Sequence, residues 1–262
     1  MPQEVVQIDS FTDMAFAGNP AAVCLMEKPA DPRWMQLVAR EMNLSETAFL
    51  YPVDKGYHLR WFTPTTEVDL CGHATLASAH LLFEDGHVAK DRTIHFDTLS
   101  GRLTATFRGG WILLDFPASP ATAIDLPSAL KNLTGASRTS GAKAERWLLA
   151  EFDSEHEVRT YQPDFAAIAA LPGGHLLITA RAEMPGVDFV SRCFAPGFGV
   201  NEDPVTGSAH TALGPYWMSK LGKSELLAYQ ASARGGYVKV SVAGDRVILG
   251  GQAVTIMRGE LV

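Results

Sequence analysis

Cysteine is scarce in this sequence. Its 262 residues include only Cys24, Cys71 and Cys193, which lie far apart along the chain. Three scattered thiols give no zinc-ligand spacing, and an odd count of this kind suits a reducing cytosol. The first ten residues contain no basic segment followed by an apolar core, so no secretory signal is expected. The sequence therefore predicts a cytoplasmic protein without a metal site.

Positive charge and long apolar runs are lacking as well. The 22 Lys and Arg residues are outnumbered by 29 Asp and Glu residues, which gives a net charge of −7. Without a basic cluster to offset this charge, nucleic acid is not expected as a partner, whereas a small anion can still bind at a locally positive site. No apolar run approaches the roughly 20 residues of a membrane span, so no membrane partner is expected.

Cofactor fingerprints are absent too, since there is neither a phosphate loop nor a dinucleotide-binding glycine motif. What remains is ordinary for a compact soluble protein, with 47% hydrophobic and 19% charged residues. The length allows one large domain or two modest ones.

The most informative stretch covers residues 67–83, EVDLCGHATLASAHLLF. Beyond Gly72 and His73 it is apolar nearly all round, which indicates a buried helix rather than a surface one. The first turn of a helix has free N–H groups and the positive end of the dipole, so it can bind an anion. A buried helix start at Gly72 therefore predicts a site for a small anionic substrate such as a carboxylate.

Residues 201–213, NEDPVTGSAHTAL, repeat this arrangement. The aligned pairs are Arg60 with Arg192, Phe62 with Phe194, Glu67 with Glu202, Gly72 with Gly207 and His73 with Ser208. Their shared order across half the chain predicts an internal duplication, and hence two similar lobes related by a pseudo-twofold axis.

Prolines and small residues at positions 117–120 mark the predicted lobe boundary. The lobes then cover residues 1–117 and 118–262, and the last C-terminal strand is left open as a possible addition to the first lobe. Within the second lobe, Pro215 is expected to kink the core helix or to end it early. Residues 157–161 are predicted as a strand.

Three residues of the first lobe could carry chemistry, and each has two interpretations. Glu46 is either a carboxylate base or a surface residue at the start of a strand. His73 could donate to a substrate carboxylate or shuttle a proton near neutral pH, or it is a capping or core histidine. Cys71 could be a nucleophile or base whose pKa the helix dipole lowers, or it is a small buried residue.

Polar residues elsewhere have a similar ambiguity. Asn19, in the turn Gly18-Asn19-Pro20, could point into a site. Asp203 and Ser208 could hydrogen-bond a ligand, or they could cap a turn and a helix end.

Four motifs together resemble the PhzF-like family of phenazine biosynthesis, which shares the diaminopimelate epimerase fold. They are Gly18-Asn19-Pro20, residues 43–47 (NLSET), residues 71–75 (CGHAT) and residues 202–209 (EDPVTGSA). The resemblance spans nearly the whole chain. It implies an α+β protein in which each of two pseudo-symmetric lobes is a curled, mostly antiparallel sheet around a central buried helix. It also implies an active site in the cleft between the lobes, no cofactor and a homodimer.

The resemblance implies roles for individual residues. Glu46 matches the glutamate that moves a proton along a conjugated ring in the best-understood family member. The expected substrate-binding residues are Asn19, Ser45, Gly72, His73, Asp203, Gly207 and Ser208. Related epimerases use two cysteines as opposed bases. Cys71 resembles the first, but Thr206 stands in the second position and no cysteine is expected nearby, so two-thiol epimerisation is not expected.

These observations lead to three hypotheses. The first is a cofactor-independent isomerase that moves a proton within a small cyclic or conjugated carboxylic acid, with Glu46 as the acid and base. The second is a racemase or epimerase of a small amino or hydroxy acid. The third is a non-catalytic small-molecule-binding or scaffold protein.

Overall fold

The computed structural model describes residues 2–125, 128–134, 140–144 and 147–262. Strands dominate, and helices are few, as expected for the predicted α+β class. Within the described ranges, none of the helices combines the length and the apolar character that a membrane span requires. The chain divides into two compact units, Met1–Asp115 with Gly250–Val262, and Phe116–Leu249.

The first unit is a mostly antiparallel sheet with two helices. Its elements are β1 (Gln3–Ser10), β2 (Asn19–Leu25), α1 (Pro32–Met42), β3 (Glu46–Val53), β4 (Gly56–Phe62), β5 (Glu67–Val68), α2 (Gly72–Glu84), β6 (Ile94–Thr98), β7 (Gly101–Arg108), β8 (Trp111–Pro117) and β18 (Ala253–Leu261). Neighbouring strands pair antiparallel except β2 with β3 and β4 with β6. The last strand, β18, pairs along β1 from Gln3 opposite Leu261 to Ser10 opposite Ala253, so it belongs to the first unit.

Helix α2 begins at Gly72, as the apolar pattern predicted, and packs against β1, β2 and β3. All of its residues are buried except His80 and Glu84. The opposite face of β2, β3 and β4 is covered by α1, whose Met35 and Val38 pack with Phe49 and Phe62. The sheet is therefore apolar on both faces, and polar groups on the α2 side are exceptional.

The second unit repeats the plan with additional short helices. Its elements are β9 (Thr122–Ile124), α3 (Ser128–Thr134), β10 (Ser140–Lys143), β11 (Leu148–Glu151), α4 (Glu155–Thr160), α5 (Phe165–Ala169), β12 (Leu176–Arg181), β13 (Phe189–Ala195), a 3-10 turn (Pro196–Phe198), β14 (Val200–Asp203), α6 (Gly207–Leu221), β15 (Glu225–Gln230), β16 (Gly236–Ala243) and β17 (Arg246–Gly251). Strands β11 with β12 and β13 with β15 pair parallel, whereas β12 with β13 and β15 with β16 pair antiparallel. Helix α6, the counterpart of α2, packs on β15 and β16.

An arginine–glutamate clamp occurs in both units at the aligned positions. In the first, Arg60 donates from Nε and Nη2 to the two oxygens of Glu67, over 2.7 and 2.8 Å, and its guanidinium lies 5.1 Å from the centroid of Phe62. In the second, Arg192 makes the same paired contact with Glu202 over 2.7 and 2.9 Å. There the Arg192 guanidinium lies 4.9 Å from the centroid of the Phe194 ring. The same three-residue contact in each unit supports the predicted duplication, and the three extra residues of the second copy are accounted for by its 3-10 turn.

One of the two outcomes expected for Pro215 was wrong, and so was one strand predicted in the second unit. Helix α6 does not end early at Pro215 but continues to Leu221. Proline lacks the N–H that would bond the Thr211 carbonyl four residues earlier, and Ser119 donates its N–H to that carbonyl instead, over 3.1 Å. Residues 157–161 fall mostly in α4 rather than in a strand, because the Ser154 hydroxyl caps the helix by accepting from the Glu157 N–H.

Candidate active site

His73 is held at the start of α2 by the facing ends of two strands. Ser10 ends β1, Asn19 begins β2, and the two are paired across the sheet. The Ser10 hydroxyl donates to the His73 carbonyl over 2.8 Å, and Nδ2 of Asn19 lies 3.2 Å from Nδ1 of His73. The predicted site residue Asn19 therefore contacts the predicted site residue His73 directly, and Ser10 is a contact that the sequence analysis missed.

Glycine is required in the loop that joins these strands. Gly18 has φ +65°, and a Cβ on it would lie 2.2 Å from the Ser10 carbonyl oxygen. That separation is a hard clash with backbone, so only glycine allows the chain to turn so tightly. The turn sets Asn19 against His73.

Glu46 reaches the same histidine from the start of β3. It pairs with Ala21 in the parallel ladder between β2 and β3, two residues after Asn19. Its Oε2 lies 3.2 Å from Nε2 of His73, and its side chain is only 19% exposed. The alternative of an ordinary surface residue at a strand start is therefore wrong, although Glu46 does begin a strand. Ser45, immediately before it, is half-buried.

Burial lowers the pKa of His73 to about 3, so the imidazole is neutral at physiological pH. Because an amide nitrogen can only donate, Nδ1 accepts from Asn19 and the ring proton resides on Nε2. Nε2 is buried, and among the described residues it has no aligned hydrogen-bond partner, despite the proximity of Glu46. The Nε2–H group of His73 can therefore donate a hydrogen bond. The alternative role of His73 as a proton shuttle near neutral pH conflicts with its low pKa.

Cys71 lies on the other side of the imidazole. It is the extended residue before α2 and is buried, and its Sγ is 3.6 Å from Nδ1 of His73. Ligand atoms of Glu46, Cys71 and His73 fall within 4.8 Å of one another, close enough in principle for a metal site. The thiol approaches Nδ1, however, whereas the carboxylate approaches Nε2. One ion cannot bind through both ring nitrogens, so the arrangement does not suit coordination by all three side chains.

In the second unit, the predicted residues surround the start of α6. Asp203 ends β14 and accepts a 2.5 Å hydrogen bond from the Thr206 hydroxyl, so it caps the turn before the helix. Gln230, which the sequence analysis missed, accepts from the Thr206 N–H over 2.9 Å and donates to the Asp203 carbonyl over 2.7 Å. Gly207 is buried as the first residue of α6, and Ser208 is half-buried beside it.

The neighbourhood of Thr206 corrects one expectation. Cys193 is 13 positions earlier, but its strand pairs Cys193 with Asp203, and its sulfur hydrogen-bonds the Thr206 side chain. A cysteine is therefore close to this position in space. Cys193 is 1% exposed, and burial raises its pKa well above the ordinary value, so it is a protonated core thiol. It does not restore a two-thiol arrangement.

Structural comparison places the fold among the epimerase-like α+β proteins. A hydroxyproline epimerase from Agrobacterium vitis, solved with bound trans-4-hydroxy-L-proline, superposes with a TM-score of 0.65 at 13% identity, covering 99% of this chain and 92% of the other. At that identity the likeness shows the fold alone. A PhzF-family protein from Enterococcus faecalis is much more similar, with a TM-score of 0.95, 42% identity and full coverage of both chains.

The family model of phenazine biosynthesis-like proteins, PhzC-PhzF, matches residues 8–259. A relative from Halalkalibacterium halodurans, named an uncharacterized isomerase, is 51% identical over 262 residues, covering 100% of this chain and 99% of its own. The protein therefore belongs to the phenazine biosynthesis-like PhzF family, whose members include proteins named as isomerases.

Proposed function

We propose that the protein is a cofactor-independent isomerase that moves a proton within a small cyclic or conjugated carboxylic acid. The observation that carries the proposal is the pairing of Glu46 with a buried, neutral His73 at a separation of 3.2 Å. Membership of a family with named isomerases supports the same reaction class.

Glu46 is the group that moves the proton. Its carboxylate takes a proton from one carbon of the substrate, and the electron pair left behind is delocalised along the conjugated system toward an oxygen. The neutral Glu46 then returns the proton to a second carbon on the same face, which regenerates the carboxylate and completes the shift. No net redox change occurs, because the proton and the electron pair both stay within the substrate and Glu46. The step therefore needs no further reactant.

His73 orients the substrate and stabilises charge without taking the proton. A pKa of about 3 makes imidazolium a poor participant at neutral pH, whereas Nε2–H can donate to a substrate oxygen. Asn19 sets the ring tautomer through Nδ1, and Ser10 fixes the backbone at His73. Ser45, Gly72, Asp203, Gly207 and Ser208 stay predicted substrate contacts.

The equivalent of Glu46 in the second copy offers no carboxylate. That position corresponds to Gly174 and His175. The His175 ring contacts the Gly173 carbonyl through Nδ1 at 2.7 Å and stacks on Phe198 at 5.8 Å, which is a packing role. A single carboxylate favours proton transfer on one face over inversion, which needs an acid on the opposite side.

The remaining expectations belong to the proposal and are open to test. We propose that the partner is a small carboxylate, that the protein needs neither a cofactor nor a metal, and that it forms a homodimer in the cytoplasm. Cys71 beside His73 is the observation that keeps a racemase or epimerase of a small amino or hydroxy acid as the second candidate.

The test begins with a panel of carboxylic acids, including hydroxyproline, cyclohexene carboxylate and dihydro-hydroxyanthranilate. Ligands that raise the melting temperature are then incubated with the enzyme in heavy water, and deuterium incorporation and product formation are followed by mass spectrometry. An isomerase yields a shifted double bond, with part of the original hydrogen retained. Binding without any exchange would instead indicate the third hypothesis, a binding protein.

Glu46→Gln keeps the size of the side chain but cannot accept a proton. We expect it to bind ligand normally and to lose turnover by at least ~100-fold, the lower end of acid–base contributions. The matched control is Glu41→Gln, the same substitution at an exposed position of α1, which should leave turnover unchanged. Near-normal turnover of Glu46→Gln, or inversion at one carbon with full solvent exchange, would refute the single-carboxylate mechanism.

A further inference from the structure

The indole of Trp61 is an unusual buried donor. The residue is 1% exposed, and among the described residues no acceptor lies within hydrogen-bond geometry of its Nε1–H. Buried tryptophans normally find a partner for this group, since leaving it unpaired is unfavourable. An unpaired donor in a native core is therefore a reason to look for a missing acceptor.

Strand register places Trp61 beside Glu46. Trp61 on β4 pairs with Ala48 on β3, and Glu46 lies two residues before Ala48, on the same face of the sheet. Diagonal neighbours of this kind have Cβ atoms roughly 7 Å apart, within reach of an aromatic and a long side chain. The opposite face carries Phe49 and Phe62, which pack on α1. Trp61 thus shares the face that bears Glu46 and His73.

A second donor without an aligned hydrogen-bond partner lies on the same face. Nε2 of His73, which carries the ring proton, is also buried and without an aligned partner among the described residues. An indole N–H can only donate, and so can the protonated nitrogen of this neutral imidazole. Two neutral donors on the face that bears the Glu46 carboxylate match a ligand that brings oxygen acceptors.

We propose that Trp61 is a catalytic residue whose indole N–H donates to an anionic oxygen of the substrate. The oxygen is one that carries charge when Glu46 removes a proton, either in the carboxylate or in the enolate formed from it. The assignment rests on the proposed function and adds a residue to it. A neutral donor in a water-excluded site stabilises such charge strongly without competing for the proton.

The first test is Trp61→Phe, which keeps an aromatic ring and removes the donor. The value of kcat/KM for the panel substrate that turns over should fall by about 10- to 100-fold, as expected for a hydrogen bond to a charged group. Thr47→Val is the matched control. Its hydroxyl is also buried and has no partner in the part of the chain that the structure describes, but Thr47 lies opposite Phe62, on the α1 face, so kcat/KM should equal that of the wild type. Wild-type kcat/KM in Trp61→Phe would overturn the proposal.

The second test needs no variant that might fold poorly. The indole N–H signals of the wild-type protein are followed by 15N-correlated NMR while hydroxyanthranilate is added as the probe. The Trp61 signal should move downfield as its N–H gains an acceptor. The Trp217 signal is the internal control, because its Nε1–H already donates to Thr179 over 2.9 Å in the second unit, and it should stay fixed.

The outcomes separate this inference from the proposed function. If Glu46→Gln abolishes turnover while the Trp61 signal stays fixed on saturation and Trp61→Phe is fully active, then Trp61 is only a packing residue. If Glu46→Gln retains turnover, the proposed function fails, whatever Trp61 does. A Trp61 shift together with the loss of kcat/KM supports the inference.

Discussion

Acidification should destabilise the protein through buried histidines, with one well-defined example in each unit. His73 lies in the first unit and has a pKa of about 3, and His210 lies in the second and has a pKa of about 4, both because burial penalises the charged ring. In His210, Nδ1 donates to the Thr206 carbonyl over 2.8 Å, and Nε2 has no partner among the described residues. Protonation would place an N–H in the core with no acceptor.

The size of the loss in stability follows from the difference between the folded and unfolded pKa values of each histidine. An unfolded histidine binds a proton below about pH 6.5, whereas the folded His210 stays neutral down to about pH 4. Above about pH 6.5 the histidine is neutral in both states, so the free energy of unfolding keeps its full value. It decreases as the pH falls below about 6.5, because only the unfolded state binds the proton. From about pH 6.5 to about pH 5, at about 1.4 kcal/mol per pH unit, each of the two histidines lowers the free energy of unfolding by about 2 kcal/mol.

Urea unfolding at about pH 7.5 and about pH 5, followed by circular dichroism, measures this loss, and the window lies above the range in which most carboxylates titrate. His210→Asn supplies an amide donor for the Thr206 carbonyl but does not titrate. Whatever its stability at neutral pH, its loss on acidification should be smaller than that of the wild type by about 2 kcal/mol. An equal loss in both proteins, or no loss in the wild type, would refute the reasoning.

Two further predictions concern the surroundings of His73. Cys71→Ala should keep most turnover and bind ligand normally, because the thiol faces Nδ1 rather than the Glu46 side of the ring. Steady-state assays measure this. Complete loss of turnover in a folded variant would establish thiol chemistry instead. Gly18→Ala should lower the melting temperature and weaken ligand binding, since its Cβ would lie 2.2 Å from the Ser10 carbonyl oxygen and would displace Asn19. Gly86→Ala is the control, because Gly86 also has positive φ but open space around it. Equal losses of melting temperature in the two variants, measured by calorimetry, would contradict the steric argument.

Two features of the fold, a buried core helix and an internal repeat, could be predicted from patterns in the sequence. The apolar stretch after Gly72 predicted α2, and the matched order of Arg60, Phe62 and Glu67 in the second copy predicted a repeat that the two clamps support. A signal was also overlooked: Ser154 followed three residues later by Glu157 is a capping-box pattern, and it marked the start of α4 where a strand was expected.

The site depended on contacts that sequence spacing does not reveal. Glu46 and His73 are 27 positions apart, and they meet only because β3 pairs with β2 in the observed register. The family resemblance, rather than any local pattern, singled out Glu46. Cys193 meets Thr206 for the same kind of reason, since strand pairing brings them together. In the sequence nothing distinguishes Trp61 from an ordinary core residue. Only the structure shows that its buried N–H has no hydrogen-bond partner among the described residues.

The arginine–glutamate clamp has a consequence for how the two halves of the gene diverged. Both halves keep the clamp and its aromatic ring, whereas the position of His73, which faces Glu46 in the first half, is held by Ser208 in the second. The clamp is thus the same in both halves, whereas the side chains at the two helix starts differ. In the proposed mechanism, this asymmetry between the halves leaves proton transfer with a single direction of attack.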